Sequence, residues 1–353
     1  MNLFQVARLM AGFVGVFTLA QLPAFISALA ETAHPSLSPS TGFGVSIAVG
    51  SVVTILLWLC GRRDRTQICR KEPIAVAGVS YFLAGMMGAI PCFVSGLLSN
   101  PVDAYFEAMS GLTTCGATVL GSGGNMDIEE VARSLLVWRA MLQWIGGIGI
   151  VLVFVALLPA MGVNAKNLLS SESVGVATES YQPRAIEQAR YIGKVYLAMT
   201  LLCMSLLMWI GGFHWFDAMC HAFTSIATGG YSTKASIRSF DSLGGEAVLI
   251  VFMFLSGASL AVIATHLRTG VRCLSKLVQS AEFRIYTASS VLLISILTVA
   301  LMRSGIDFGS ALRQAMFNGV SVITSTGYAS ADCQAWPATA TIVMFGAMCA
   351  GGC

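Results

Sequence analysis

The chain has 353 residues, of which 56% are hydrophobic and only 10% charged, with a formal net charge of +3 at pH 7. A soluble domain carries about a quarter charged residues, so this balance excludes an ordinary soluble fold and points to an all-α polytopic membrane protein. Ten cysteines show no paired metal-ligand spacing and lie mostly in apolar segments, where Cys behaves as a small hydrophobe, so neither a redox nor a metal role is expected of them; a covalently bound cofactor is not expected either.

In chain order, apolar stretches long enough to cross a bilayer run from Leu3 to Leu29, Phe43 to Cys60, Ile74 to Val94 and Val131 to Leu158. They continue from Ile186 to Gly211, Ala247 to His266, Phe283 to Met302, and Ala338 to the last residue. The first reads as a spanning helix and not as a cleavable leader, because it is too long and has only Arg8 near its start. Basic residues gather in alternate connections. Arg62, Arg63, Arg65, Arg70 and Lys71 follow the second stretch; Lys166, Arg184, Arg190 and Lys194 follow the fourth; Arg268, Arg272, Lys276 and Arg284 follow the sixth. By the positive-inside rule these connections and the N-terminus face the cytoplasm, and the acid-rich loops carrying Glu31, Asp103, Asp127, Glu129, Glu130, Asp241, Asp307 and Asp332 face outward. An acidic outer face raises the local cation concentration.

Between the apolar stretches one segment recurs. Asp103 to Ala117 reads DAYFEAMSGLTTCGA, the chain from Asp217 reads DAMCHAFTSIATGGYS, and from Gln314 it reads QAMFNGVSVITSTGYAS. Without gaps the copies align Ala104, Ala218 and Ala315, then Ser110, Thr224 and Ser321, then Leu112, Ile226 and Ile323, and finally Gly116, Gly230 and Gly327. Each copy predicts a half-length helix that enters the membrane and hands over to an extended Gly/Thr strand. Non-helical backbone at that depth is tolerated only where it lines water or is buried in protein. Carbonyls of such strands replace the hydration shell of an alkali cation, and glycine permits the backbone angles that aim them at a shared axis.

Setting aside a helix pair at 1–60, the order is helix, re-entrant segment, helix, in units at 73–159, 186–269 and 283–353. The residues SGLTTCGAT from Ser110, WRAMLQWIGGIGIVLVFVALLP from Trp138, HAFTSIATGGYST from His221 and SVITSTGYASAD from Ser321 resemble the Trk/Ktr/HKT superfamily of potassium transporters. The extra helix pair makes the chain most similar to its TrkH-type subunits. That resemblance implies a selectivity filter from Thr113, Thr114, Cys115 and Gly116, from Ala227, Thr228, Gly229 and Gly230, and from Thr324, Ser325, Thr326 and Gly327. It implies potassium as the ion, held by backbone oxygens at Thr114, Thr228 and Ser325. Glycine at position 116, where sodium-transporting plant relatives carry Ser, favours potassium. The resemblance further implies the bacterial cytoplasmic membrane with its lipid, a homodimer, and a cytosolic nucleotide-binding regulatory subunit of the TrkA-like kind; this chain itself has no GxGxxG or Walker pattern, and nucleic acid is not an expected partner.

Other residues carry two readings each. Arg139, inside the fourth helix, either pairs with Glu107 on the first re-entrant helix or snorkels to the outer interface beside Trp138 and Trp144 as belt residues. Gly146, Gly147 and Gly149 permit close helix packing or act as a hinge. His214 and His221 are hydrogen-bonded structural residues or couple protons. The polar connection Asn164 to Arg190 is a solvated linker or the place where a regulator acts. A closed fourfold filter needs a fourth unit, so the sequence is expected to be C-terminally incomplete, its MFGAMCAG from Met344 resembling the start of the family's Gly-rich gating loop. A secondary transporter of another small solute, or an inactive remnant that needs a separate fourth unit, stands as the alternative; an intramembrane enzyme is disfavoured, because no paired carboxylates, Ser/Lys dyad or metal-ligand helix face appears.

Overall fold

A computed structural model describes residues 3–31, 34–61, 72–121, 125–160, 181–258 and 281–350. Among them the regular elements are helices: α1 Leu3–Leu19, α2 Leu22–Ala30, α3 Pro39–Gly61, α4 Glu72–Val94, α5 Pro101–Leu112 and α6 Arg133–Ala160, then α7 Tyr181–Trp209, α8 Trp215–Ile226, α9 Leu243–Gly257, α10 Ala281–Arg303, α11 Phe308–Ile323 and α12 Ala338–Ala350. Among the described residues, four stretches are long and apolar enough to cross a membrane: Val6–Ala30, Pro39–Gly61, Ala189–Trp209 and Ala281–Arg303. Gly78–Val94, Leu243–Gly257 and Ala338–Cys349 are shorter apolar helices. The basic connections at 62–71 and 259–280, and 161–180 of the Asn164 to Arg190 linker, lie outside the described residues, as do Gly351 to Cys353.

The first stretch departs from expectation. Leu3 to Leu29 reads as one helix, but α1 stops at Leu19 and α2 starts at Leu22. Pro23 sits in the first turn of α2. It has no N–H to give to the preceding turn, so the i to i−4 ladder cannot run through it. The chain tightens instead, with the Gln21 amide donating to the Thr18 carbonyl at 3.2 Å.

The chain divides into two compact units, one of residues 1–112 and 117–190, the other of 113–116 and 191–353. In the first, α1, α3 and α4 pack on one another, α5 lies against α4 and α6, and α2 against α3 and α6. Small residues set these distances: a Cβ on Gly42 would come within 2.7 Å of the Pro91 carbonyl oxygen, and one on Gly50 within 2.3 Å of Thr18 Oγ1. The outer side of α3, with Val52, Ile55, Leu56, Trp58 and Leu59, is exposed and apolar, as a lipid solvent requires.

In the second unit, α11 packs on α10, α9 and α12, and α8 packs on α9. Leu293, Leu297, Leu301, Ala311, Ala315, Trp336 and Ala340 form one buried cluster among α10, α11 and α12. The three half-length helices predicted by the repeat are α5, α8 and α11, with 12, 12 and 16 residues. A bilayer takes about 20 helical residues, so none of the three spans it.

Candidate functional site

Each half-length helix ends in the same way. Thr114, Thr228 and Ser325 have φ of 55°, 51° and 56°, in the left-handed region, and two residues later Gly116, Gly230 and Gly327 have φ of 76°, 79° and 84°. In the second copy the Thr228 amide donates to the Ser225 carbonyl at 3.1 Å and the Gly229 amide to the Thr224 carbonyl at 2.8 Å. In the third, the Ser325 amide donates to Val322 at 3.0 Å and the Thr326 amide to Ser321 at 2.8 Å. This is a Schellman closure, in which glycine usually takes the left-handed place. Here Thr and Ser take it, which costs roughly 1–2 kcal/mol apiece. The strand that follows leaves from the negative end of the helix dipole, a place that favours a cation.

The three strands converge within the second unit. A Cβ on Gly116 would lie 2.1 Å from the Gly229 carbonyl oxygen, and one on Gly230 would lie 1.9 Å from that of Thr326. Gly116 and Gly230 thus each face a carbonyl of the next copy, and no side chain fits there. A Cβ on Gly327 meets nothing within 4 Å among the described residues. Ala227, Thr228 and Gly229 are buried, whereas Thr113, Cys115, Ser325 and Gly327 are exposed, so the second copy sits in the middle of an arc. Hydroxyls bond along the strands: Thr324 Oγ1 and Thr326 Oγ1 are 2.7 Å apart, and Thr228 Oγ1 donates to the Ala227 carbonyl at 2.8 Å.

Hydroxyls of the half-length helices hold the residue after the glycine. Ser110 Oγ donates to the Ala117 carbonyl at 2.6 Å and Ser321 Oγ to the Tyr328 carbonyl at 2.8 Å. At the matching place in the second copy the Tyr328 hydroxyl intervenes, bonded to Thr224 Oγ1 and donating to the Tyr231 carbonyl at 3.5 Å.

Arg139 and Glu107 are brought together. The guanidinium Nη2 lies 2.7 Å from Glu107 Oε1, and both side chains are only 2% and 1% exposed. The carboxylate also accepts from Thr118 Oγ1 at 2.9 Å and from the Val119 amide at 3.0 Å. Arg139 therefore does not snorkel. Trp138 is no belt residue either: it is fully buried, donates Nε1–H to the Gly88 carbonyl at 3.0 Å and packs edge-on against Phe17 and Phe43.

Gly146 is a contact point, since a Cβ there would lie 2.0 Å from the Leu112 carbonyl oxygen. His214 caps α8 by accepting from the Phe216 amide. Asp307 caps α11, and the Ser310 amide and hydroxyl hold its exposed carboxyl below the usual carboxylate range. Among the described residues no group of three His, Cys, Asp or Glu side chains is placed to hold a metal ion.

The TrkH family profile, described as a cation transport protein, matches residues 43–353. The Trk system potassium uptake protein TrkH of Halomonas elongata is 31% identical over 357 residues, which cover 100% of this chain and 72% of that protein. The protein of the same name in Escherichia coli (strain K12) is 32% identical over 317 residues, covering 88% of this chain and 63% of that protein. The crystal structure of the potassium transporter TrkH from Vibrio parahaemolyticus superposes with a TM-score of 0.83 at 26% identity, covering 98% of this chain and 70% of that one. The chain therefore spans 63% to 72% of the length of these relatives.

Proposed function

The chain belongs to the TrkH family of cation transport proteins, and from that premise we propose that it is a multi-pass subunit for potassium uptake, with the three glycine-bearing strands as part of its selectivity filter. The observation that carries this is the repeated backbone: a left-handed Thr or Ser followed by a left-handed glycine in all three copies, each of the first two glycines against a carbonyl of the next strand. Backbone oxygens at Thr114, Thr228 and Ser325 take the place of the ion's water. Thr113, Cys115, Ala227, Gly229, Thr324 and Thr326 shape the strands that present them. No side-chain charge is needed, because the helix ends already bias the site toward cations.

Permeation is passive and driven by the membrane potential, at about 2.3 kcal/mol per charge per 100 mV. The protein resides in the bacterial cytoplasmic membrane with its N-terminus in the cytoplasm. It works as a homodimer whose cytoplasmic side is gated by a nucleotide-binding, TrkA-like regulatory subunit, in keeping with the relatives' names as parts of a Trk system.

The test is rubidium uptake by a potassium-starved host lacking its own uptake systems and expressing the complete reading frame that carries this chain. Uptake competed by potassium, and lost in Gly116→Ser and Gly230→Ser, is expected. Uptake that survives both substitutions, or that a small organic solute competes away, contradicts the reading.

A further inference from the structure

Nine residues before each filter glycine, the three half-length helices carry Glu107, His221 and Asn318. The three side chains have nothing in common chemically, yet each is 1% exposed or less. Each reaches forward to the strand that leaves the filter. Glu107 accepts from Thr118 Oγ1 and the Val119 amide. His221 Nε2 lies 3.1 Å from Ser232 Oγ. Asn318 Nδ2 donates to Ser330 Oγ at 3.1 Å while its Oδ1 accepts from the Ser330 amide at 3.2 Å. Thr118 and Ser232 occupy one register, and Val119 and Ser330 the next.

The hydrogen bonds fix how each group works. His221 Nδ1 is 2.7 Å from the Asp217 carbonyl, which only accepts, so Nδ1 carries the proton and Nε2 is an acceptor. Ser232 then donates to Nε2 and accepts from the Lys234 amide at 3.1 Å. Asn318 anchors itself likewise one turn back, donating to the Gln314 carbonyl at 2.9 Å. Glutamate has no proton to give to its own helix, so the first copy takes its second anchor from Arg139, whose Nε is 2.8 Å from Oε1. Three chemistries thus make one brace, from each half-length helix to the strand that leaves it.

Resting on the potassium-uptake reading, we propose that His221 and Asn318, with Glu107, are positioning residues for the filter: they hold the outgoing strands from behind, and discrimination between potassium and sodium depends on them. A filter distinguishes the two ions by the number and placement of its carbonyls. A strand released at its outer end loses that placement even where the fold survives.

The experiment measures the rubidium-to-sodium uptake ratio and the apparent KM for rubidium in the complete reading frame, with protein amount in the membrane recorded for each variant. Loss of one buried hydrogen bond predicts a ratio lower by about fivefold in H221A and in S232A, with no further fall in the double variant because both remove the same contact. H221Q, whose amide carries an acceptor where Nε2 stands, restores the ratio to within about twofold of the wild type. N318L lowers it as H221A does. S232A removes only a hydroxyl and keeps the test open where H221A fails to accumulate. Wild-type ratios in S232A and N318L with rubidium uptake intact overturn the inference, as does an H221Q as poor as H221A. A wild-type protein that takes up no rubidium overturns the function on which the inference stands, which is a different result.

Discussion

At Thr114, Thr228 and Ser325 the chain accepts a left-handed backbone that glycine would adopt without strain. Glycine is reserved for the position two residues on, where φ is positive in all three copies and where, at Gly116 and Gly230, a Cβ would strike a neighbouring carbonyl. The strain is sustained by the surroundings, above all by hydroxyls and buried polar groups of the half-length helices. Removal of one partner from a buried ion pair leaves the other charge stranded, typically at about 3–5 kcal/mol. Arg139→Met is therefore expected to lower thermal stability in detergent sharply, and the double variant with Glu107→Gln to recover part of the loss; equal melting temperatures for the single variant and the wild type would contradict the pairing. The three glycines at which the backbone turns were legible at this scale because the three copies align without gaps. Asn318 and Ser232 were not, because the brace position holds Glu, His and Asn, and no single residue type marks it. Arg139 had two readings in sequence, pairing with Glu107 or snorkelling beside Trp138 as a belt residue, and burial decides between them only once α4 and α6 are in contact.

The half-length helices were legible as elements from their amphipathic start and their Gly/Thr end. The break between α1 and α2 was not, since the run from Leu3 to Leu29 stays apolar throughout and Pro is common in membrane helices. Two predictions belong to elements. Gly146 lets α6 approach the end of α5, where only backbone stands in the way. Gly146→Ala forces the two apart, and overpacking of this kind costs roughly 1–3 kcal/mol. A melting temperature below the wild type by several degrees is expected, together with reduced rubidium uptake. Asp307 caps α11 with a carboxylate whose pKa is lowered by Ser310. A lowered folded-state pKa stabilises above the unfolded value near 3.9 and is lost as the pH falls through the folded value. The difference in melting temperature between the wild type and Asp307→Ala is thus expected to be largest near neutral pH and to shrink in acid, whereas Asp307→Asn, still a good cap, stays close to the wild type at neutral pH. A difference independent of pH would show that the cap's charge is irrelevant.

For the molecule as a whole, composition and the spacing of apolar runs were enough to indicate a helical, multi-pass chain, and the family match over 43–353 agrees with that architecture. Composition could not reveal how helices choose neighbours: α5 settles between α4 and α6, where Gly146 of α6 meets the Leu112 backbone and Gly85 of α4 leaves room for Met109. A passive filter ties transport to the field across the membrane. Dissipating the potential with a protonophore should abolish rubidium accumulation while leaving exchange of rubidium for potassium intact; accumulation that persists without a potential would require a coupled mechanism.

In the proposed filter the backbone of the three strands holds the cation. Anomalous diffraction from crystals of the complete protein grown in a rubidium or thallium salt measures this directly. A peak at the carbonyls of Thr114, Thr228 and Ser325, absent in Gly230→Ser, is expected. A filter without a peak, or a peak at side-chain carboxylates elsewhere in the molecule, would contradict it.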